Sequence, residues 1–116
     1  MILIGHGSRA RGSDLAMKKV AAVLRNDKKF GSVACAYLEI NSPSIPEAIQ
    51  QAVASGANEV KLLPYFVHTG RHVLEDIPRI HRESVSRHGS KTKIKLCAYL
   101  GFHPSIVRVV KERLEK

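Results

Sequence analysis

Tryptophan is absent from this sequence, and its 116 residues include only three Phe and three Tyr. None of these rings is interleaved with basic residues, so a base-stacking platform is missing and nucleic acid is not an expected partner. Long apolar runs are missing too: none approaches the roughly 20 residues that a membrane-spanning helix needs. Residues 1–5 open directly into a strand-like run without the pattern of a signal peptide, so a cytoplasmic location and no membrane partner are expected. The two cysteines, Cys35 and Cys97, sit in separate apolar runs and form no CxxC pair. Neither a zinc knuckle nor a redox motif is indicated, and buried free thiols are the plain expectation. Internal repeats, low-complexity tracts and linkers are also lacking, and residues 1–116 are expected to form a single domain that buries roughly 65% of its unfolded surface. Acidic residues are few, 10 against 19 Lys and Arg, for a formal net charge of +9. That balance favours an anionic partner through long-range attraction, although lysines on solvated helix faces account for much of it.

What is present is an alternation. Four short apolar, largely β-branched runs, Ile2 to Ile4, Val33 to Ile40, Val60 to Val67 and Ile94 to Leu100, are each followed by a segment of helical periodicity. This order predicts an α/β fold with a mainly parallel four-stranded sheet and helices on both faces. The near-continuous apolar character of the runs fits strands covered on both sides. A first helix is expected over roughly Ser13 to Lys29, with Ala16, Val20, Val23 and Leu24 as its packing stripe. Ser44 and Glu47 form an S-x-x-E capping box at the start of a second helix, continued by Ala48, Ala52 and Val53 and stopped at Gly56. A third helix is expected from near Asp76, with Pro78 in its first turn, to just before Gly89. A fourth begins at Pro104, with Ile106, Val107, Val110 and Leu114 on one side.

In such folds ligands bind at the edge formed by the strand C-termini. That edge is expected to collect His6, Ser8 and Arg9 after the first run, Glu39 at the end of the second, His68, Gly70, Arg71 and His72 after the third, and Gly101 and His103 after the fourth. Two or three imidazoles and one carboxylate would suit a borderline divalent ion such as Co²⁺, Fe²⁺ or Ni²⁺. Each has a plainer reading. His6 could bond its own loop, yet its flanking glycines also admit a ligand closely. Glu39 could be a lone surface carboxylate, but an unpaired charge in an apolar strand would be costly. His68 is either a partner behind the site or a loop side chain, and His103 either belongs to the site or closes a helix start. His81 and His88 fall on the third helix and are expected to be solvated. GHGS alone lacks a nucleotide-phosphate pattern, and the RHG at Arg87 to Gly89 follows a helix instead of a strand.

Four blocks in register, LIGHGSR, LEINSPSIPEAI, LLPYFVHTGRHVLEDIP and LGFHPSI, resemble the small class II metal chelatases of the CbiX/SirB type. The resemblance implies a flavodoxin-like, chelatase-like three-layer sandwich of half size acting as a homodimer, where larger relatives join two such halves. It implies insertion of Co²⁺, Fe²⁺ or Ni²⁺ into sirohydrochlorin or a related polycarboxylate tetrapyrrole, with the metal as substrate and no organic cofactor. His6 and His72 match the family's catalytic pair, and Glu39 matches an acid that contacts metal in many members. The chemistry suits these residue types: metal insertion removes two pyrrole protons while the ion sheds water, and imidazole both binds metal and accepts protons near neutrality. Arg9, Arg11 and Arg71, with Ser8, Gly70, His68 and His103 nearby, are expected to bind the carboxylate-rich substrate. A non-catalytic metal or tetrapyrrole carrier on the same fold and a metal-free interaction module are the alternatives.

Overall fold

The computed structural model describes residues 1–68 and 70–116; the side chain of His72 lies outside the described residues. Strand β1 (Ile2–Gly5) leads to helix α1 (Leu15–Arg25) and a 3₁₀ turn at Lys28–Phe30, then to β2 (Ala34–Tyr37) and α2 (Ile45–Ala54). Strand β3 (Glu59–Pro64), helix α3 (Arg71–His88), β4 (Lys93–Leu96) and α4 (Pro104–Leu114) follow. The four strands form one parallel sheet in the order β2-β1-β3-β4.

Strand alternation sends successive side chains to opposite faces. Ile2, Ile4, Ala36, Val60, Leu62 and Ile94 point to one side and pack beneath α2 and α3, through Ile45, Ala48, Ile49, Val73 and Ile77. Leu3 and Tyr37 point to the other and meet Met17 and Ala21 of α1. Each fully buried Ile or Leu contributes about 1.5–3 kcal/mol relative to exposure, so the two central strands anchor both layers.

Several boundaries differ from the sequence expectation. Helix α1 is shorter, and its buried stripe is Met17, Val20, Ala21 and Leu24, which are spaced as one helical face; Ala16 and Val23 point to solvent. Helix α3 starts at Arg71, not near Asp76, and Pro78 lies inside it. The Val73 and Ile77 pair, four residues apart, buries that first stretch and offsets the hydrogen bond Pro78 cannot donate. Helices cover both faces of the sheet as expected, but on the α1 side the cover is full only over β1 and β2, and β3 adds Leu63 alone to that cluster. On the α1 side of β3 and β4, Glu59, Lys61, Lys93 and Lys95 are exposed, with Glu59 within 3.8 Å of Lys61 and 3.6 Å of Lys93. These strands alternate because one of their faces meets water. Helix α4 contacts no other element among the described residues, and the molecule measures 50 × 34 × 28 Å.

Helix α2 is terminated as its sequence foretells. The Glu47 N–H donates to Ser44 Oγ at 3.2 Å and the Ser44 N–H donates to Glu47 Oε1 at 3.1 Å. At the far end Gly56 has φ 89°, its N–H donates to the Val53 carbonyl and that of Ala57 to the Ala52 carbonyl, a Schellman closure. Replacing Ser44 with Ala should lower stability by about 1 kcal/mol, read as a reduced urea midpoint with unchanged slope; an unchanged midpoint would show that the cap does not support the fold.

Candidate functional site

Chain order and spatial order define the crevice. From β1 the chain moves outward to β2, then crosses back over β1 to β3, so the direction of winding reverses between β1 and β3. Open parallel sheets bind ligands outside the strand C-termini at such a switch point. The loop that follows β1 carries His6, and the segment that follows β3 leads through Gly70, the N-cap, into the first turn of α3 with Arg71 and His72. The Tyr65 N–H donates to the Ile4 carbonyl at 2.8 Å, tying the start of the second segment to the end of β1.

His6 and Glu39 lie just beyond paired strand ends, where the backbone ladder continues. The Leu38 N–H donates to the Gly5 carbonyl at 3.0 Å and the Glu39 N–H to the His6 carbonyl at 3.1 Å. Glu39 is thus outside the strand, not within it as expected, and its side chain is 51% exposed, so no desolvation cost demands a partner. Its carboxylate nevertheless reaches His6, with Oε1 3.5 Å from Nδ1, and the Gly7 carbonyl oxygen lies 3.3 Å from the same nitrogen. Both neighbours of Nδ1 are acceptors, so in the neutral ring Nδ1 carries the proton and Nε2 keeps its lone pair. An ion pair this exposed contributes at most about 1 kcal/mol to stability; its effect is on ring orientation and tautomer.

The loop can approach so closely because residue 7 is glycine. Gly7 has φ 101°, and a Cβ there would fall 1.8 Å from the Glu39 carbonyl oxygen. Asn41 adds a side-chain tie, its Oδ1 accepting from the Ser8 N–H at 2.7 Å. Between them Ile40 has φ 67°, a left-handed conformation that is a true outlier for a β-branched residue.

Beside His6 a cleft of about 200 Å³ is floored by Met17 and by Tyr37 and Tyr65. The buried Tyr37 hydroxyl donates to Asp14 Oδ2, and Lys18 Nζ lies 3.2 Å from the same oxygen. Burial, and then the hydrogen bond to Asp14, push the Tyr37 phenol well above its ordinary range. The Tyr37 hydroxyl, ahead of Lys18, holds the Asp14 carboxyl below its usual value of 3.8. Asp14, Tyr37 and Asn41 were not among the sequence candidates. A tyrosine ending an apolar strand does carry a signal, since a buried phenol needs a hydrogen-bond partner.

The other expected residues scatter more widely. Ser8 bonds within its loop, its Oγ accepting from the Ala10 N–H at 3.0 Å, and Arg9 and Arg11 are exposed in the same loop. Arg71 Nε donates to Glu75 Oε1 at 3.0 Å. His68 is exposed in the bend after β3, and His103 caps α4, its Nδ1 accepting from the Ser105 N–H at 3.1 Å. His81 is not solvated: it is half-buried and its Nε2 donates to the Ile94 carbonyl at 2.9 Å, fastening α3 to β4. His88 is half-buried at the end of the same helix. Cys35 and Cys97 are half-buried free thiols. Among the described residues no three His, Cys, Asp or Glu side chains converge as a metal cluster; Glu39 meets His6 on the Nδ1 side of the ring, and the expected third ligand, the side chain of His72, lies outside the described residues.

Compared with known proteins, the chain matches the CbiX family over residues 1–116. It is 31% identical over 116 residues to the sirohydrochlorin cobaltochelatase of Sulfolobus acidocaldarius, covering 100% of this chain and 89% of that protein. It is 30% identical over 115 residues to the chloroplastic sirohydrochlorin ferrochelatase of Arabidopsis thaliana, covering 99% of this chain and 51% of that one. Among solved structures, the CbiX protein of Marinobacter aquaeolei VT8 is similar with TM-score 0.78 and 30% identity, over 98% of this chain and 95% of that chain. The sirohydrochlorin chelatase SirB of Bacillus subtilis subspecies spizizenii, in complex with cobalt, gives TM-score 0.78 and 26% identity, over 98% and 48%. The chain therefore spans about half the length of several relatives that it matches.

The Tyr37 and Asp14 pair sets a pH dependence. A carboxyl held low in the folded state stabilises above its unfolded pKa and loses that contribution as pH falls through the folded value. Tyr37→Phe should therefore be less stable than wild type at neutral pH, with the gap closing below about pH 4 as Asp14 protonates. Urea midpoints measured from neutral pH down to about pH 3 test this, and a gap constant across that range would rule out the linkage.

Proposed function

The chain belongs to the CbiX family, and on that premise we propose that residues 1–116 form a chelatase domain that inserts a divalent metal, Co²⁺, Fe²⁺ or Ni²⁺, into sirohydrochlorin or a related carboxylate-rich tetrapyrrole. The observation that carries this reading is the setting of His6: Nδ1 lies beside the Gly7 carbonyl and Glu39, Nε2 has no hydrogen-bond partner among the described residues, and the ring borders the cleft floored by Met17, Tyr37 and Tyr65. The metal is a substrate in this reaction, and the tetrapyrrole gives up two N–H protons as the ion enters. His6 Nε2 can bind the incoming ion or take a pyrrole proton. When it takes the proton, Glu39 beside Nδ1 stabilises the resulting imidazolium. His72, in the first turn of α3 across the switch point, is assigned as the second catalytic imidazole, and Glu39 as a ligand that receives the ion through the carboxylate oxygen not facing Nδ1. An incomplete shell releases metal, whereas a closed four-ligand site retains it.

Arg9, Arg11 and Arg71 are assigned to the substrate's carboxylates. Arg71 spends one donor on Glu75 and its guanidinium has further N–H groups to offer. Excess positive charge, +9 over the chain, draws such a polyanion toward the site. No described helix is long and apolar enough to cross a membrane, and we place the reaction in the cytoplasm.

A homodimer is part of the same proposal. Helix α4 presents Val107, Val110 and Leu114 to solvent, at 40%, 50% and 78% exposure, and packs on no other element among the described residues. Beyond Leu63, the α1-side face of β3 and β4 is not covered by a helix among the described residues either. A second copy would cover these surfaces.

Incubating the chain with sirohydrochlorin and Co²⁺ and following the visible spectrum should show catalytic turnover. His6→Ala or His72→Ala should fall to the spontaneous rate with the fold intact, and Arg9→Ala with Arg71→Ala should mainly raise KM. Stoichiometric binding without turnover would instead identify a carrier, and a wild-type rate in either histidine variant would remove that residue from the catalytic role. Sedimentation should give twice the 12.8 kDa chain mass, with Val110→Glu shifting the protein to a monomer; a monomeric wild type would defeat the dimer.

A further inference from the structure

We propose that Asn41 is a positioning residue for the insertion reaction: presented by a strained turn at Ile40, it clamps the loop after β1 and so fixes the tautomer and direction of the His6 ring. This inference rests on the function proposed above and adds to it a residue outside the predicted site.

The need for a clamp follows from the loop itself. His6 lies just beyond Gly5, the last β1 residue, and Gly7 and Gly12 punctuate the segment that leads from it to α1. Glycine-rich chain loses the most conformational freedom on ordering, so a loop of this composition holds a ring in one direction only where something outside it bonds to it. Two backbone bonds from Leu38 and Glu39 reach as far as the His6 carbonyl. Past that point the tie from the neighbouring loop is the Asn41 Oδ1, which accepts from the Ser8 N–H at 2.7 Å. His6 is thereby pinned on both flanks, by its own carbonyl and by the amide two residues on, with Gly7 pressed against the Glu39 backbone between them. The Gly7 carbonyl, the nearer acceptor of Nδ1–H, belongs to the peptide unit whose N–H Asn41 holds, so the clamp directly orients the group that sets the ring.

Ile40 explains how Asn41 arrives there. The Asn41 N–H donates back to the Glu39 carbonyl at 2.7 Å, an i to i+2 bond around a residue with φ 67°. This is the γ-turn form with positive φ at its centre, the rarer and more strained of the two. The Ile40 side chain is 59% exposed, so burial does not account for the strain. What the turn achieves is placement: it points the Glu39 carboxylate at Nδ1 and the Asn41 amide at Ser8 within three consecutive residues. Strain kept at a place where it aims side chains is the pattern found at functional sites.

The test compares Asn41→Ala, which deletes the acceptor, with Asn41→Asp, which keeps it, and Ile40→Gly, which keeps the positive φ without the strain. Ring ¹⁵N NMR of His6 reads the tautomer without requiring activity, and steady-state insertion of Co²⁺ into sirohydrochlorin separates kcat from KM. Wild type should show Nδ1–H. Asn41→Ala should show mixed tautomers and about a tenfold lower kcat, roughly 1.4 kcal/mol of barrier, at unchanged KM. Asn41→Asp and Ile40→Gly should keep the wild-type tautomer and a kcat within about twofold, the conversion being the same. A wild-type tautomer and kcat in Asn41→Ala, or an Asn41→Asp variant as impaired as Asn41→Ala, would overturn the assignment. Should Asn41→Ala not fold, Asn41→Ser, too short to reach the Ser8 amide, takes its place in the same comparison. A wild-type chain that inserts no metal would refute the proposed function, while the tautomer comparison would still decide the role of Asn41.

Discussion

The close approach of two backbone segments, Gly7 against the Glu39 carbonyl, is the constraint on which the site depends. Parallel pairing of β1 and β2 brings the loops together, and two further ladder bonds carry the pairing to the His6 carbonyl. Any side chain at position 7 would occupy the space of the Glu39 carbonyl oxygen. Because that contact is made, an imidazole and a carboxylate 33 residues apart in sequence come within 3.5 Å at Nδ1, and the other ring nitrogen has no hydrogen-bond partner among the described residues. The chemistry of His6 is therefore set by backbone packing as much as by its own side chain.

The remainder of the molecule divides between support and unfinished surface. Both cores converge on β1, whose Ile2 and Ile4 lie under α2 and α3 and whose Leu3 lies under α1, so the strand that launches the His6 loop is packed on both faces. His81, fastening α3 to the Ile94 carbonyl, steadies the helix whose first turn bears Arg71 and His72. By contrast β3 and β4 leave one face to water, and α4 shows its apolar stripe to solvent. These surfaces are the ones the proposed dimer would bury.

Local signals were legible in the sequence where the deciding contacts are local. The Ser44 and Glu47 cap lies within three residues, and α2 begins where it places the start. The order of strands and helices followed from periodicity, and His6, picked out by its position after the first apolar run, and Glu39, by its place at the end of the second, do meet in space. The start of α3 was misplaced because Pro78 reads as a first-turn proline, whereas burial of Val73 and Ile77 extends the helix about one and a half turns earlier. Uncovered faces of β3 and β4 could not be read from short apolar runs, although Lys61, Lys93 and Lys95 alternate with buried neighbours. The turn at Ile40 was illegible for a firmer reason: a β-branched residue is the last expected at positive φ, and only the packing of Gly7 and Ser8 against its neighbours makes that conformation intelligible.

The central claim is that His6 meets the metal through Nε2 while Glu39 and Gly7 hold Nδ1. Crystals grown with Co²⁺ and measured at the cobalt absorption edge test it most directly. The expected result is an anomalous peak within bonding distance of His6 Nε2, in the crevice between β1 and β3. Cobalt bound through Nδ1, or absent from His6 while occupied elsewhere on the chain, would contradict it.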